Sequence, residues 1–255
     1  MTILDEPYRG RAVPPGSARH LAWLFAAPAA RAPLLGVFAL LAEWRAAQRT
    51  DLAPEVAATK LAWWRDEILR LRQGRPAHPI GRYLLASVDA APSDWDPLER
   101  AVEAAAHPVG GATVDAAPDL EAHADALIGG PLRVAAMLAT PSPERRAANP
   151  LAACTRAIAV GRFLADSAED AAADPSRAGA LRAEARRRFN AAVDALPADA
   201  RSRHRGLLVL AVLEAHHSSA PRPTAVAPAR LSDVFLAWRT ARRAARAPSR
   251  SPEIP

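Results

Sequence analysis

Asp166 and Asp170 are four residues apart, so on a helix both carboxylates project from one face. Arg162 shares that face and can pair with Asp166 at i,i+4, which makes a salt-bridged helix face the plainest chemistry of the segment. A second pair of charges with the same spacing is Arg45 and Arg49, in the run Arg45-Ala46-Ala47-Gln48-Arg49. Guanidinium groups hold phosphate oxygens through bidentate hydrogen bonds, so these two arginines suit a phosphate contact as well as ordinary exposed helix surface. Other chemistries find less. The histidines are scattered, and the adjacent His216 and His217 lie about 100° apart on a helix, not on one face as metal ligands at i,i+4 do. No GxSxG elbow, P-loop or dinucleotide fingerprint occurs. Trp63 and Trp64 read as packing residues, and His78 before Pro79 as the cap of a turn.

Helices must position these groups. Of the 255 residues 50% are apolar, alanine dominates that half and aromatics are only 5%, a balance that favours helix over sheet. Ser17 can cap a short helix to about Ala27, and a second runs from about Arg31 to Gln48 with Pro33 in its first turn. From Pro54 to Gln73, Ala57, Leu61, Trp64, Ile68 and Leu71 recur at helical spacing, while Asp66 and Arg70 fall at i,i+4 on another face. Gly74 and Pro76 end that helix. Further helices are expected from Pro79 to about Val88 and over Leu98–Ala106, Pro118–Ala139, Leu151–Ala172, Ala178–Leu196, Ala200–His217 and Ala229–Arg246. Gly110 and Gly111 mark an internal hinge. The expected organisation is an N-terminal segment over 1–16, a single all-α domain over 17–247 and a disordered tail over 248–255.

The net charge of +6 comes almost entirely from arginine, with Lys60 the only lysine. Nucleic-acid binding would also call for aromatics interleaved with a basic patch or a known motif, and neither is present. Cys154 is the lone cysteine, so no intrachain disulfide forms. Met1–Arg11 has no apolar core of a signal peptide, and Leu21–Trp44 is broken by Pro28, Arg31 and Pro33. The expected location is the cytoplasm.

Three segments, Arg19–Trp44 (RHLAWLFAAPAARAPLLGVFALLAEW), Lys60–Leu71 (KLAWWRDEILRL) and Gly74–Arg82 (GRPAHPIGR), together resemble the N-terminal half of squalene/phytoene synthases. Gly161–Asp170 (GRFLADSAED) resembles the second Asp-rich motif of that family, and Ala237–Arg239 a C-terminal element of its shorter bacterial members. The resemblance implies a helical bundle of the isoprenoid synthase type. Active members join two prenyl diphosphates head to head, and carboxylates on two facing helices hold the Mg²⁺ ions that neutralise the departing diphosphate. Carried over, Asp166 and Asp170 would be metal ligands and Mg²⁺ the cofactor of an active prenyltransferase. The chain departs from that pattern: Arg45-Ala46-Ala47-Gln48-Arg49 stands where the first Asp-rich motif belongs, and Ala159 and Arg162 stand where active members usually carry Gln and Asn. With these departures the resemblance implies a non-catalytic member without a cofactor. It would bind a prenyl diphosphate or lipid, or a protein partner, in or around a helical cavity, with Arg45, Arg49 and Arg162 on the diphosphate. An assembly factor of a mitochondrial respiratory complex belongs to the same family and also lacks the first motif.

The closing segment adds one more feature. Leu231, Val234, Phe235, Trp238 and Ala241 form an apolar stripe beside Arg230, Arg239, Arg242, Arg243 and Arg246. Such a helix over 229–246 can lie on an anionic membrane surface or dock on an acidic protein. Equally, it can close the fold with its arginines at the negative end of the helix dipole.

Overall fold

The computed structural model describes residues 4–48, 52–88, 90–106, 117–140, 151–218 and 230–246, and among them there is no strand. The architecture is all-α. The helices are α1 (Glu6–Ala12), α2 (Ala18–Leu24), α3 (Pro28–Ala47), α4 (Pro54–Arg72), α5 (Pro79–Ser87) and α6 (Asp96–Ala106), the last entered through a 3₁₀ turn over Pro92–Trp95. Then come α7 (Ala117–Ala124), a π turn over Asp125–Gly129, α8 (Gly130–Leu138), α9 (Ala152–Asp170), α10 (Pro175–Ala195), α11 (Arg205–His217) and α12 (Leu231–Ala245). The expected hinge at Gly110 and Gly111 and the tail over 248–255 lie outside the described residues.

Helix α3 is the hub. Its buried residues Leu34, Val37, Phe38, Leu40 and Trp44 point to more than one side, as expected of a helix enclosed by others. It packs against α1, α2, α4, α5 and α8, while α9 lies along α10, and α11 packs on α10, α2 and α12. Alanines fill many of the closest approaches, for example Ala159, Ala185 and Ala211, all fully buried. Gly161 is needed where α9 meets α10, because a Cβ there would come within 3.0 Å of the Phe189 ring.

Local chemistry explains the boundaries. The Ser17 hydroxyl accepts from the His20 N–H at 3.1 Å and starts α2, and Asp174 accepts from the Ser176 and Arg177 N–H groups to start α10. Helix α3 begins earlier than its sequence suggests, at Pro28, because a proline at the first helical position is already set for the turn. Pro33 is therefore internal to α3, not in its first turn. The α4 stripe is as expected at Leu61, Trp64, Ile68 and Leu71, which are buried, while Ala57 is only partly buried and Trp63 half-exposed. Gly74, at φ 72°, closes α4: its N–H donates to the Leu71 carbonyl, and the Arg75 N–H donates to the Arg70 carbonyl.

The expected Asp66–Arg70 pair is replaced by another. Arg70 Nε donates to buried Glu67 at 2.8 Å, and the same carboxylate accepts from the His78 N–H at 2.7 Å and the Ala77 N–H at 3.2 Å. Glu67 thus satisfies the turn between α4 and α5, which outweighs a solvent-exposed pair with Asp66. His78 caps α5 by accepting from the Ile80 N–H at 3.2 Å, and its ring packs on Trp64, Trp63 and Tyr8. The Trp-Trp and His-Pro elements of the sequence are thereby one structural unit. The segment Pro118–Ala139 is not one uninterrupted α-helix, since the π turn at Asp125–Gly129 divides it.

Two outcomes follow from this packing. Trp64→Ala is expected to lower stability by about 3–5 kcal/mol, the usual cost of removing a large buried aromatic; chemical denaturation showing a loss under about 1 kcal/mol would contradict its place in the core. The second concerns His204, which is buried and whose imidazole is pushed down to about 4 from 6.5 by burial, with Arg203 adding. Unfolding releases it to its ordinary value, so the unfolded chain binds the extra proton. The contribution is complete above about pH 6.5 and falls as pH drops toward 4, by up to roughly 3 kcal/mol. Urea denaturation across that window should show the slope, and His204→Gln should flatten it; an unchanged slope would assign the acid sensitivity to other groups.

Candidate functional site

The C-terminal end of α3 meets α9 through charged side chains. Arg162 on α9 forms a fork on Asp166, one turn further on, with Nη2 at 2.9 Å from Oδ1 and Nε donating to Oδ2 at 3.2 Å. Its remaining Nη1 donates to both oxygens of Glu214 on α11, at 3.1 and 3.2 Å. Arg45 on α3 approaches Asp166 Oδ1 from the other side at 3.4 Å. Glu214 is buried, Arg162 and Asp166 are partly buried, and Arg45 is exposed.

A third arginine is coupled electrostatically to these groups. Arg19 on α2 is partly buried, and no described residue hydrogen-bonds or ion-pairs with its side chain. Its guanidinium is pushed down to about 10 by burial, with Arg162 and Arg45 adding to the fall and Glu214 and Asp166 opposing it. Burial acts on Arg162 in the same direction, but Glu214 and Asp166 outweigh it and hold that guanidinium above its ordinary value. Both stay charged at neutral pH. Three guanidinium groups, from α2, α3 and α9, therefore act on Asp166, two of them, Arg19 and Arg162, also on Glu214, and Glu169 of α9 adds a further negative charge acting on Arg162.

Of the residues singled out in the sequence, Arg45, Arg162 and Asp166 come together. Asp170 stands exposed at the last residue of α9. Arg49 lies outside the described residues. Arg19 and Glu214 were not singled out. Arg19 opens the first quoted segment, and Glu214 is the lone acid in the apolar run Leu207–Ala215; a single charge within an apolar helix was the available signal.

The donor set does not fit a Mg²⁺ clamp. Asp166 is already held by two arginines, and no group of three or more His, Cys, Asp or Glu side chains among the described residues is placed to hold a metal ion. Nor does Cys154 offer a nucleophile, since burial pushes its thiol up to about 12. His216 and His217 both turn toward Asp233 of α12, at 3.8 and 3.1 Å, and so dock one helix on another.

A separate cavity of about 450 Å³ lies beside the π turn, lined in part by Pro97, Arg100, Glu121, Asp125, Arg133 and Arg156. Its acids are already engaged: Arg133 grips Asp125 with two hydrogen bonds, and Arg188 reaches Glu121 at 2.7 Å. Arg156 also approaches Asp125, at 3.6 Å, so the acids of this cavity are held by arginines much as Asp166 and Glu214 are. Compared with known proteins, the sequence matches no protein-family model and no curated protein.

If the cluster holds an anion, two substitutions are expected to act with opposite signs. Arg19→Gln removes a charge-assisted donor and is expected to weaken pyrophosphate binding about 10- to 100-fold. Asp166→Asn frees Arg45 and Arg162 from a competing carboxylate and is expected to tighten it. Isothermal titration with pyrophosphate in EDTA-containing buffer reads both. Loss of binding in Asp166→Asn would mean that the aspartate, not the arginines, holds the ligand.

Proposed function

We propose that this chain is a non-catalytic helical protein of the squalene/phytoene synthase type that holds the diphosphate of a prenyl or related lipid on Arg19, Arg45 and Arg162. The observation that carries the reading is that guanidinium groups from three helices act on Asp166: Arg162 forks on it, Arg45 approaches it at 3.4 Å, and Arg19, which has no hydrogen-bond partner among the described residues, is coupled to it electrostatically. The fork on Asp166 leaves the arginines near one another at the junction of α3 and α9, the two segments that carry the resemblance to the paired motifs of that family. Guanidinium groups match phosphate oxygens in shape and charge and remain protonated when partly buried.

Binding and turnover separate on this reading. Ionising an allylic diphosphate requires stabilisation of the charge that develops on the leaving group, and loss of preorganised stabilisation costs orders of magnitude in rate. Arginines already neutralised by Asp166 and Glu214 can hold a ground-state anion, yet they provide no carboxylate cage for Mg²⁺.

The expected outcome is that purified protein with Mg²⁺ binds farnesyl or geranylgeranyl diphosphate but releases no head-to-head hydrocarbon. Radiolabelled substrate with organic extraction reads turnover, beside an Asp166→Ala/Asp170→Ala double variant. Extractable product from the wild type that disappears in the double variant would make those aspartates metal ligands of an active prenyltransferase.

A further inference from the structure

Helix α12 packs only one of its large apolar side chains, Leu236, against the core. Its buried residues are Asp233, Ala237, Ala241 and Ala244, a narrow face that rests on α11 and α2 and is tied down by the Asp233–His217 contact at 3.1 Å. Of the stripe expected from the sequence, only Ala241 is buried. Leu231 is 87% exposed, Phe235 58%, Trp238 43% and Val234 36%, so the helix presents an apolar ridge to the outside. At about 100° per residue these four fall within an arc of about 100°. Contiguous exposed apolar side chains of this size mark a surface that another phase or molecule covers.

The charges say which. Arg230, Arg239, Arg242, Arg243 and Arg246 are all exposed, and none forms an ion pair among the described residues. Arg242 lies over the Trp238 ring at 5.0 Å, and Arg239 over the Phe235 ring at 6.0 Å. The one acid of the helix, Asp233, is buried against His217. The exposed surface of α12 is thus made of apolar and cationic groups without an exposed carboxylate. A protein partner needs a register, set by pockets and by charges of both signs. An anionic bilayer needs none: it offers a uniform negative plane over an apolar interior, to which aromatic rings and guanidinium groups at one level are matched. No described helix is long and apolar enough to cross a membrane, so the contact is one of lying on the surface.

We propose that α12 is a membrane-docking helix that lays Leu231, Val234, Phe235 and Trp238 into the headgroup region of an anionic bilayer, with its arginines on the lipid phosphates. The proposal stands apart from the arginine cluster, whose pyrophosphate affinity is read in solution and involves none of these residues.

The test is co-sedimentation of the full chain with phosphatidylcholine vesicles with and without phosphatidylglycerol. Binding is expected only to the anionic vesicles and is released by added salt. Arg239→Gln/Arg242→Gln/Arg243→Gln should reduce partitioning about a hundredfold, and Phe235→Ser/Trp238→Ser at least about tenfold. Both variants alter exposed side chains and should keep the wild-type helical circular dichroism and pyrophosphate affinity. Failure to bind anionic vesicles, equal binding to neutral ones, or binding that both variants retain would each overturn the proposal. A wild type that ignores vesicles but self-associates through Phe235 and Trp238, read by sedimentation velocity, would make the ridge a contact between copies instead.

Discussion

Arg162 is placed where three helices must agree. Its guanidinium satisfies Asp166 within α9 and Glu214 across on α11, while Arg45 reaches the same Asp166 from α3. A partly buried guanidinium flanked by carboxylates tolerates little freedom, because removing one partner leaves another charge stranded away from water. The relative placement of α3, α9 and α11 is thereby coupled to a single ion network. Alanine and glycine make that coupling possible: Gly161 lets the Phe189 ring press against α9 one residue before Arg162, so the arginine leaves the helix beside a fixed neighbour.

Much of the helical framework was legible because alanine-rich segments punctuated by Ser, Asp, Gly and Pro state their own boundaries. Ser17, Gly74 and His78 behave as their types suggest. The misreadings have a common cause, which is that periodicity reports apolar spacing and not what lies opposite. Spacing pairs Asp66 with Arg70, but Arg70 turns to Glu67, whose carboxylate is fixed by two backbone N–H groups ten and eleven positions further along. The stripe on α12 is an apolar face, as its spacing suggests, yet the side that packs is the alanine face beside it, with Leu236 at its edge. The π turn at Asp125–Gly129 leaves no periodic trace, since it shifts the register by one residue within a continuous helical pattern. At the site, Asp166, Arg162 and Arg45 were legible from their spacing, whereas Arg19 and Glu214 joined them only through tertiary packing.

Helices α2 and α11 connect the two functional readings. Each contributes to the arginine cluster, Arg19 from one and Glu214 from the other, and the same two helices carry α12. Arg205 at the start of α11 ties them further by donating to the Phe25 carbonyl at 2.8 Å, just beyond the end of α2. On the proposed reading, a chain resting on anionic lipid through α12 holds its anion site on the very helices that face that support. An amphiphile with a phosphate head and an apolar tail would then have both its natural phases close at hand.

On the proposed reading, arginines stand where active members of the resembled family hold metal-binding carboxylates, and that changes what the site can do. Carboxylates bind a diphosphate only through metal ions, and a metal ion can follow the charge as a bond breaks. Guanidinium groups bind the diphosphate directly, with no metal ion between. Interactions equal in ground and transition states lower a dissociation constant without raising a rate. Here the arginines are also restrained by Asp166 and Glu214, so their charges are committed to positions set by the fold and not by a departing group. Such a cluster, on this reading, suits retention of an intact diphosphate, because charges held in place by the fold serve binding before they serve bond cleavage.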